Sequence, residues 1–156
     1  MNFQFSITNF QTKRGFTFIE LLVTMSIIGV LAALVLFASA GVREQGRDAR
    51  RKTDLELIRS GLEIYRSDCK DYPASITTGG SLIGDGSPTS CSASNTYISK
   101  IPADPQSPTR TYFYSRPTTT TYLLCARLEQ APNPAVDVTG CDNNCGGACN
   151  WKVISP

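Results

Sequence analysis

The chain has 156 residues, a formal charge of +2 and no histidine. Its length suggests one domain, and the near-neutral balance gives no argument for a nucleic-acid partner. The absent histidine excludes Ser-His-Asp and Cys-His catalysis and any His-ligated metal site built from the chain's own side chains.

Residues 1–15 are polar and aromatic and end in Lys13-Arg14-Gly15. A secretory signal places its apolar core before the cleavage site. Here the apolar core comes after the basic pair: from Phe16 to Ala40 the only ionisable side chain is Glu20. At ~1.5 Å per residue, a helix over that run crosses a hydrocarbon core of ~30 Å. A lone carboxylate near the start of such a helix is costly to insert, so it calls for a partner or a function; the plain alternative is a residue that snorkels to headgroup depth. Basic residues flank both ends, Lys13 and Arg14 on one side and Arg43, Arg47, Arg50, Arg51 and Lys52 on the other. By count alone this mildly favours the second end inside. All six cysteines lie beyond the apolar run, which places that side in an oxidising compartment.

From Lys13 to Gly29 the sequence KRGFTFIELLVTMSIIG resembles, nearly residue for residue, the class III signal of type IV prepilins and type II secretion pseudopilins. The resemblance implies cleavage after Gly15 by a prepilin peptidase, methylation of the new amino terminus at Phe16, and a role for Glu20 in subunit assembly. A charged amine and a carboxylate stranded in apolar surroundings neutralise each other between neighbouring subunits, whereas an unpaired buried charge is strongly unfavourable. The resemblance also implies an amino terminus on the cytoplasmic side. It divides the chain into a leader (1–15), a membrane and filament-core half of a helix (16–41) and a globular head (42–156). Loss of Lys13 and Arg14 with the leader takes the side-chain charge from +2 to zero.

No proline interrupts residues 42–67, and helix formers dominate there. Leu55, Ile58, Leu62 and Tyr65 recur at helical spacing as a stripe for a core, with Leu57 and Ile64 on a second face that meets neighbouring subunits. Pro73 ends the helix between Asp68 and Pro73. One helix from Phe16 to about Ser67 is therefore expected, with Gly29, Gly41 and Gly46 as soft points. Within Arg43–Asp54, the acids Glu44, Asp48 and Asp54 stand three or four residues from arginines and read as ion pairs on a solvated face.

Residues 74–110, rich in Ser, Thr, Gly and Pro, read as a long connection with order around Leu82-Ile83 and Tyr97-Ile98. Thr111–Ser115, Thr120–Glu129 and Trp151–Ile154 are strand-like, the first two joined through Arg116-Pro117-Thr118-Thr119 as an antiparallel hairpin. The expected fold class is α+β and pilin-like, a long N-terminal helix packed on a small antiparallel sheet. The segment Tyr97–Pro105, with Tyr112 and Tyr114, is similar to a loop of the major type II pseudopilins. Those proteins often carry an acidic calcium loop near the carboxyl end. Here Asp137 and Asp142 stand in the cysteine-rich CDNNCGGACNW, and no calcium site is carried over.

Cys141, Cys145 and Cys149, with Cys125 as a fourth ligand, could be read as thiolates for zinc or an iron–sulfur cluster, and their spacing falls in the broad range for structural zinc. An even count of six, including Cys69 and Cys91, favours disulfides and no metal. Cys69–Cys91 is the expected tie between helix end and loop, with Cys125 joined to one of the three C-terminal cysteines. The functional reading is a structural subunit, not an enzyme and without cofactors, that polymerises through its N-terminal helix into a type IV pilus or type II pseudopilus. The partners implied by the resemblance are copies of itself and other pilins, the prepilin peptidase, an inner-membrane platform protein and an assembly ATPase. It is expected as a single-pass inner-membrane protein before assembly and as a periplasmic or extracellular filament afterwards. The alternative is a tethered minor pilin whose disulfide-bonded head binds DNA or a surface glycan.

Overall fold

The computed structural model describes residues 15–156, apart from the side chains of 38–40; Lys13, Arg14 and the rest of the leader lie outside the described residues. One helix, α1, spans Phe18–Cys69, followed by β1 (Leu82–Ile83), β2 (Thr96–Ile98), β3 (Phe113–Thr118), β4 (Thr121–Ala126) and β5 (Trp151–Ile154). This is the expected α+β, pilin-like class. The chain divides into two compact units, residues 1–40 and Gly41–Pro156.

In the first unit the apolar side chains from Phe16 to Phe37 are exposed on every face. The helix they form is long and apolar enough to cross a membrane. A helix that is apolar all round has no solvated side to present to water.

In the second unit the stripe Leu55, Ile58, Leu62 and Tyr65 is buried with Tyr122 and Leu124 of β4 and Val153 of β5 in one core. Leu57 and Ile64, on the second face, stay about half exposed. At Gly61 a Cβ would run into the Ile98 side chain, so the glycine makes room for Ile98 of β2 against the helix. The helix stops at Cys69. Lys70 adopts φ 70° and its amide donates to Arg66 O, the left-handed exit usually taken by glycine, and Pro73 follows.

β1 and β2 pair antiparallel, and β3-β4-β5 form a second antiparallel sheet with β4 in the middle. Leu124 of β4 faces Tyr114 on one side and Val153 on the other. The expected hairpin is present, but its limits shift. β3 runs on through Pro117 to Thr118, and only Thr119-Thr120 turn. Pro117 is tolerated because β3 is an edge strand, and the ladder register slips between Ser115 and Thr118. β4 ends at Ala126, not Glu129, because the next residues leave the sheet for a polar cluster on α1.

Three disulfides cross-link this unit: Cys69–Cys91, Cys125–Cys141 and Cys145–Cys149. The first ties the end of α1 to the segment between β1 and β2. The second anchors the connection between β4 and β5 to the central strand. Loop closures of this kind typically stabilise a small domain by ~2–4 kcal/mol each.

Candidate assembly site

Gly15 precedes α1 in an exposed segment, and a Cβ placed on it would meet no atom within 4 Å. Phe16 is 87% exposed. Thr17 and Glu20 form a capping box. The Thr17 amide and hydroxyl donate to Glu20 Oε2 at 2.9 and 2.8 Å, and the Glu20 amide donates to Thr17 Oγ1 at 3.3 Å. Two donors at the helix start are satisfied reciprocally. The signal, T-x-x-E opening an apolar run, is present in the sequence, where the charge of Glu20 is the more conspicuous feature. Phe16, Ile19, Glu20, Val23 and Thr24 line one open groove at this end.

A second polar feature lies on α1 in the second unit. Arg51 and Asp48, expected on a solvated face, are buried. The i,i+3 pair itself exists, with Arg51 Nη1 2.7 Å from Asp48 Oδ1, but the chain folds over it. Arg51 Nε and Nη2 donate to the two oxygens of Asp104 at 2.8 and 3.1 Å; Nη2 also reaches Gln106 Oε1, and Nη1 reaches Glu129 Oε1. All five guanidinium N–H groups are thereby used. Arg47 clasps both Glu129 oxygens at 2.6 Å each. Asp48 in turn accepts the amides of Glu129 and Gln130. Two segments distant in sequence, around Asp104–Gln106 and Glu129–Gln130, are thus tied to one turn of α1. No buried side-chain nitrogen or oxygen among the described residues lacks a partner.

Burial works against the Arg51 charge, but the hydrogen bonds to Asp104, Glu129 and Asp48 outweigh it and hold its pKa above the ordinary guanidinium value. The hydrogen bond from Arg47, opposed by burial and reinforced by Arg51, pushes the Glu129 carboxyl down to about 2 from an ordinary 4.5. A depressed carboxyl contributes stability that is present above pH 4.5 and is lost as pH falls towards 2. Glu129→Gln should therefore flatten the acid limb of the stability curve in that window. Urea midpoints taken across the window test this, and slopes identical to wild type would contradict it.

The acids Asp137 and Asp142 do not make a cation cage. Asp137 Oδ1 accepts the Thr139 amide and hydroxyl, and Asp137 Oδ2 accepts Lys152 Nζ. The Thr139 hydroxyl first, then its amide and the Lys152 ammonium, hold this carboxyl well below the usual range. Among the described residues, the one group of three Cys, Asp or Glu donors near enough to share a cation is Cys69, Asp85 and Cys91, whose sulfurs are bonded to each other. Calcium, which the resemblance attaches to an acidic C-terminal loop, does not fit these residues. The cysteines once open to zinc are all in disulfides.

Residues 11–36 match the family model described as the prokaryotic N-terminal methylation motif, and residues 40–127 match that of type II secretion system (T2SS) protein G. Among curated proteins, the chain is 32% identical over 96 residues to the type II secretion system core protein G of Escherichia coli K12, a match covering 60% of this chain and 66% of that protein. The protein of the same name from Pseudomonas aeruginosa is 31% identical over 97 residues, covering 60% and 68%. That from Vibrio cholerae is 30% identical over 97 residues, covering 60% and 65%. The chain thus spans slightly less than two thirds of the Escherichia coli and Vibrio cholerae proteins and slightly more of the Pseudomonas aeruginosa protein. No solved structure matches.

Proposed function

This chain belongs to the type II secretion system protein G family, and on that premise we propose that it is a structural subunit which polymerises through its N-terminal helix into a type II pseudopilus. The observation that carries the reading is the methylation motif over residues 11–36, followed by a helix with exposed apolar side chains on every face. Such a surface must be covered by lipid or by copies of itself. Lipid covers it before assembly, as a single-pass anchor with the amino terminus on the cytoplasmic side. The same faces of neighbouring subunits cover it in the filament.

In this reading residues 1–15 are the leader, 16–41 the filament-core helix and 42–156 the head. A prepilin peptidase cuts between Gly15 and Phe16 and the Phe16 amine is methylated. Glu20 then pairs with the Phe16 amine of a neighbouring subunit. A platform protein and an assembly ATPase drive addition.

The test is intact-mass analysis of membranes and sheared filaments from a cell carrying the secretion machinery. The expected chain starts at Phe16 with one added methyl group. A mature species starting at Met1 would overturn the assignment.

A further inference from the structure

Residues 127–150, between β4 and β5, contain three acids: Glu129, which is held by Arg47 and Arg51, and Asp137 and Asp142 further along. Cations of the same chain already occupy oxygens in and around this loop. Lys152 Nζ lies 3.0 Å from Asp137 Oδ2 and 3.3 Å from Thr139 O. Arg127 Nη1 donates to Gly146 O at 3.0 Å, and Arg110 Nη1 donates to Arg127 O at 2.7 Å. A carboxylate oxygen and a main-chain carbonyl converging on one point is the donor type that a hard divalent cation takes. Here the positive charge at that point is an ammonium.

The fold delivers it there by two independent constraints. Lys152 on β5 pairs with Cys125 on β4, and Cys125 is bonded to Cys141, four residues beyond Asp137 in sequence. The strand register and the disulfide therefore bring the Asp137–Thr139 turn over the Lys152 side chain. That side chain is only 13% exposed, although Asp137 is 74% exposed. Asp137 Oδ1 is meanwhile taken by Thr139.

We propose that Lys152 is a built-in cation for the C-terminal loop: its ammonium takes the place at Asp137 Oδ2 and Thr139 O that a calcium ion would take, so the loop holds its fold without calcium. An entering ion would sit against a like charge, at a point where Lys152 Nζ already takes the Asp137 and Thr139 oxygens. This inference does not rest on the filament reading, because it concerns the stability of the folded chain alone.

The experiment uses the full chain purified in detergent. Its thermal unfolding is followed in calcium chloride and in chelator, and amide exchange is measured around Asp137–Thr139 for wild type, Lys152→Gln and Lys152→Arg. The melting temperature of the wild type should be the same in calcium and chelator. Lys152→Gln should speed exchange around Asp137–Thr139 by roughly three- to fivefold, the scale of a partly exposed ion pair, with Lys152→Arg restoring protection. A calcium-dependent, chelator-reversed rise of several degrees in the wild type overturns the proposal. So does unchanged exchange in Lys152→Gln.

Discussion

Glu20→Ala is expected to insert in the membrane and to be cleaved after Gly15, yet to yield at least roughly tenfold fewer filaments, because each added subunit leaves an amine in the filament core without its partner. Insertion itself becomes easier when the apolar run loses its only charge. The capping box adds a second arm. Gln at this helix position still accepts from the Thr17 amide and hydroxyl, as Glu20 does now. Glu20→Gln therefore keeps the cap and removes the charge. Both variants are expressed without a wild-type copy, sheared filaments are counted by electron microscopy, and processing is followed on a gel. Failure of both variants assigns the effect to the carboxylate charge. Normal filament yield from Glu20→Gln would show that helix capping, not charge pairing, is the requirement.

Arg51→Met is expected to destabilise the second unit by about 3–5 kcal/mol, which lowers its melting temperature by roughly 10–20 °C. The substitution fills much of the same space but leaves buried Asp104 without its charged partner and takes one partner each from Asp48 and Glu129. Lysine should not rescue it, since a point charge cannot serve five acceptor contacts in a planar fork. Trp151, the only tryptophan, sits on β5 against the core and reports unfolding of this unit by fluorescence. Residues 16–40, the part of the chain held in detergent, carry no tryptophan and add nothing to that signal. A shift below about 2 °C, the scale of an exposed ion pair, would show that the cluster is not what holds the loops to α1.

The two predictions differ in how far the sequence alone leads to them. Glu20 was found from one-dimensional pattern: a carboxylate alone in an apolar run needs no fold to look anomalous. The same holds for the length of α1, for its buried stripe at Leu55, Ile58, Leu62 and Tyr65, and for three strands rich in aromatic and β-branched residues. Each is a local signal, set by periodicity and residue type within one segment.

Arg51 was misread because helix spacing reports only near neighbours. The pair with Asp48 is local and was visible; Asp104 and Glu129 lie 53 and 78 residues away, and nothing in either stretch marks them as destined for one guanidinium. Strand limits failed for a related reason. Thr120–Glu129 has strand composition to its end, yet Glu129 is more stable on Arg47 and Arg51 than continuing the ladder, so β4 stops at Ala126. The partner of Cys125 was equally hidden, since three C-terminal cysteines are chemically alike until the register of β5 on β4 positions Cys141. Lys152 became a candidate internal cation only through that same register. By itself, then, the sequence determined the class, the apolar helix and its anomalous carboxylate, because those depend on spacing along one segment. Which charges are buried together, which cysteines bond and which cation meets Asp137 were decided by tertiary structure, because each depends on the distance between segments that the chain separates by tens of residues.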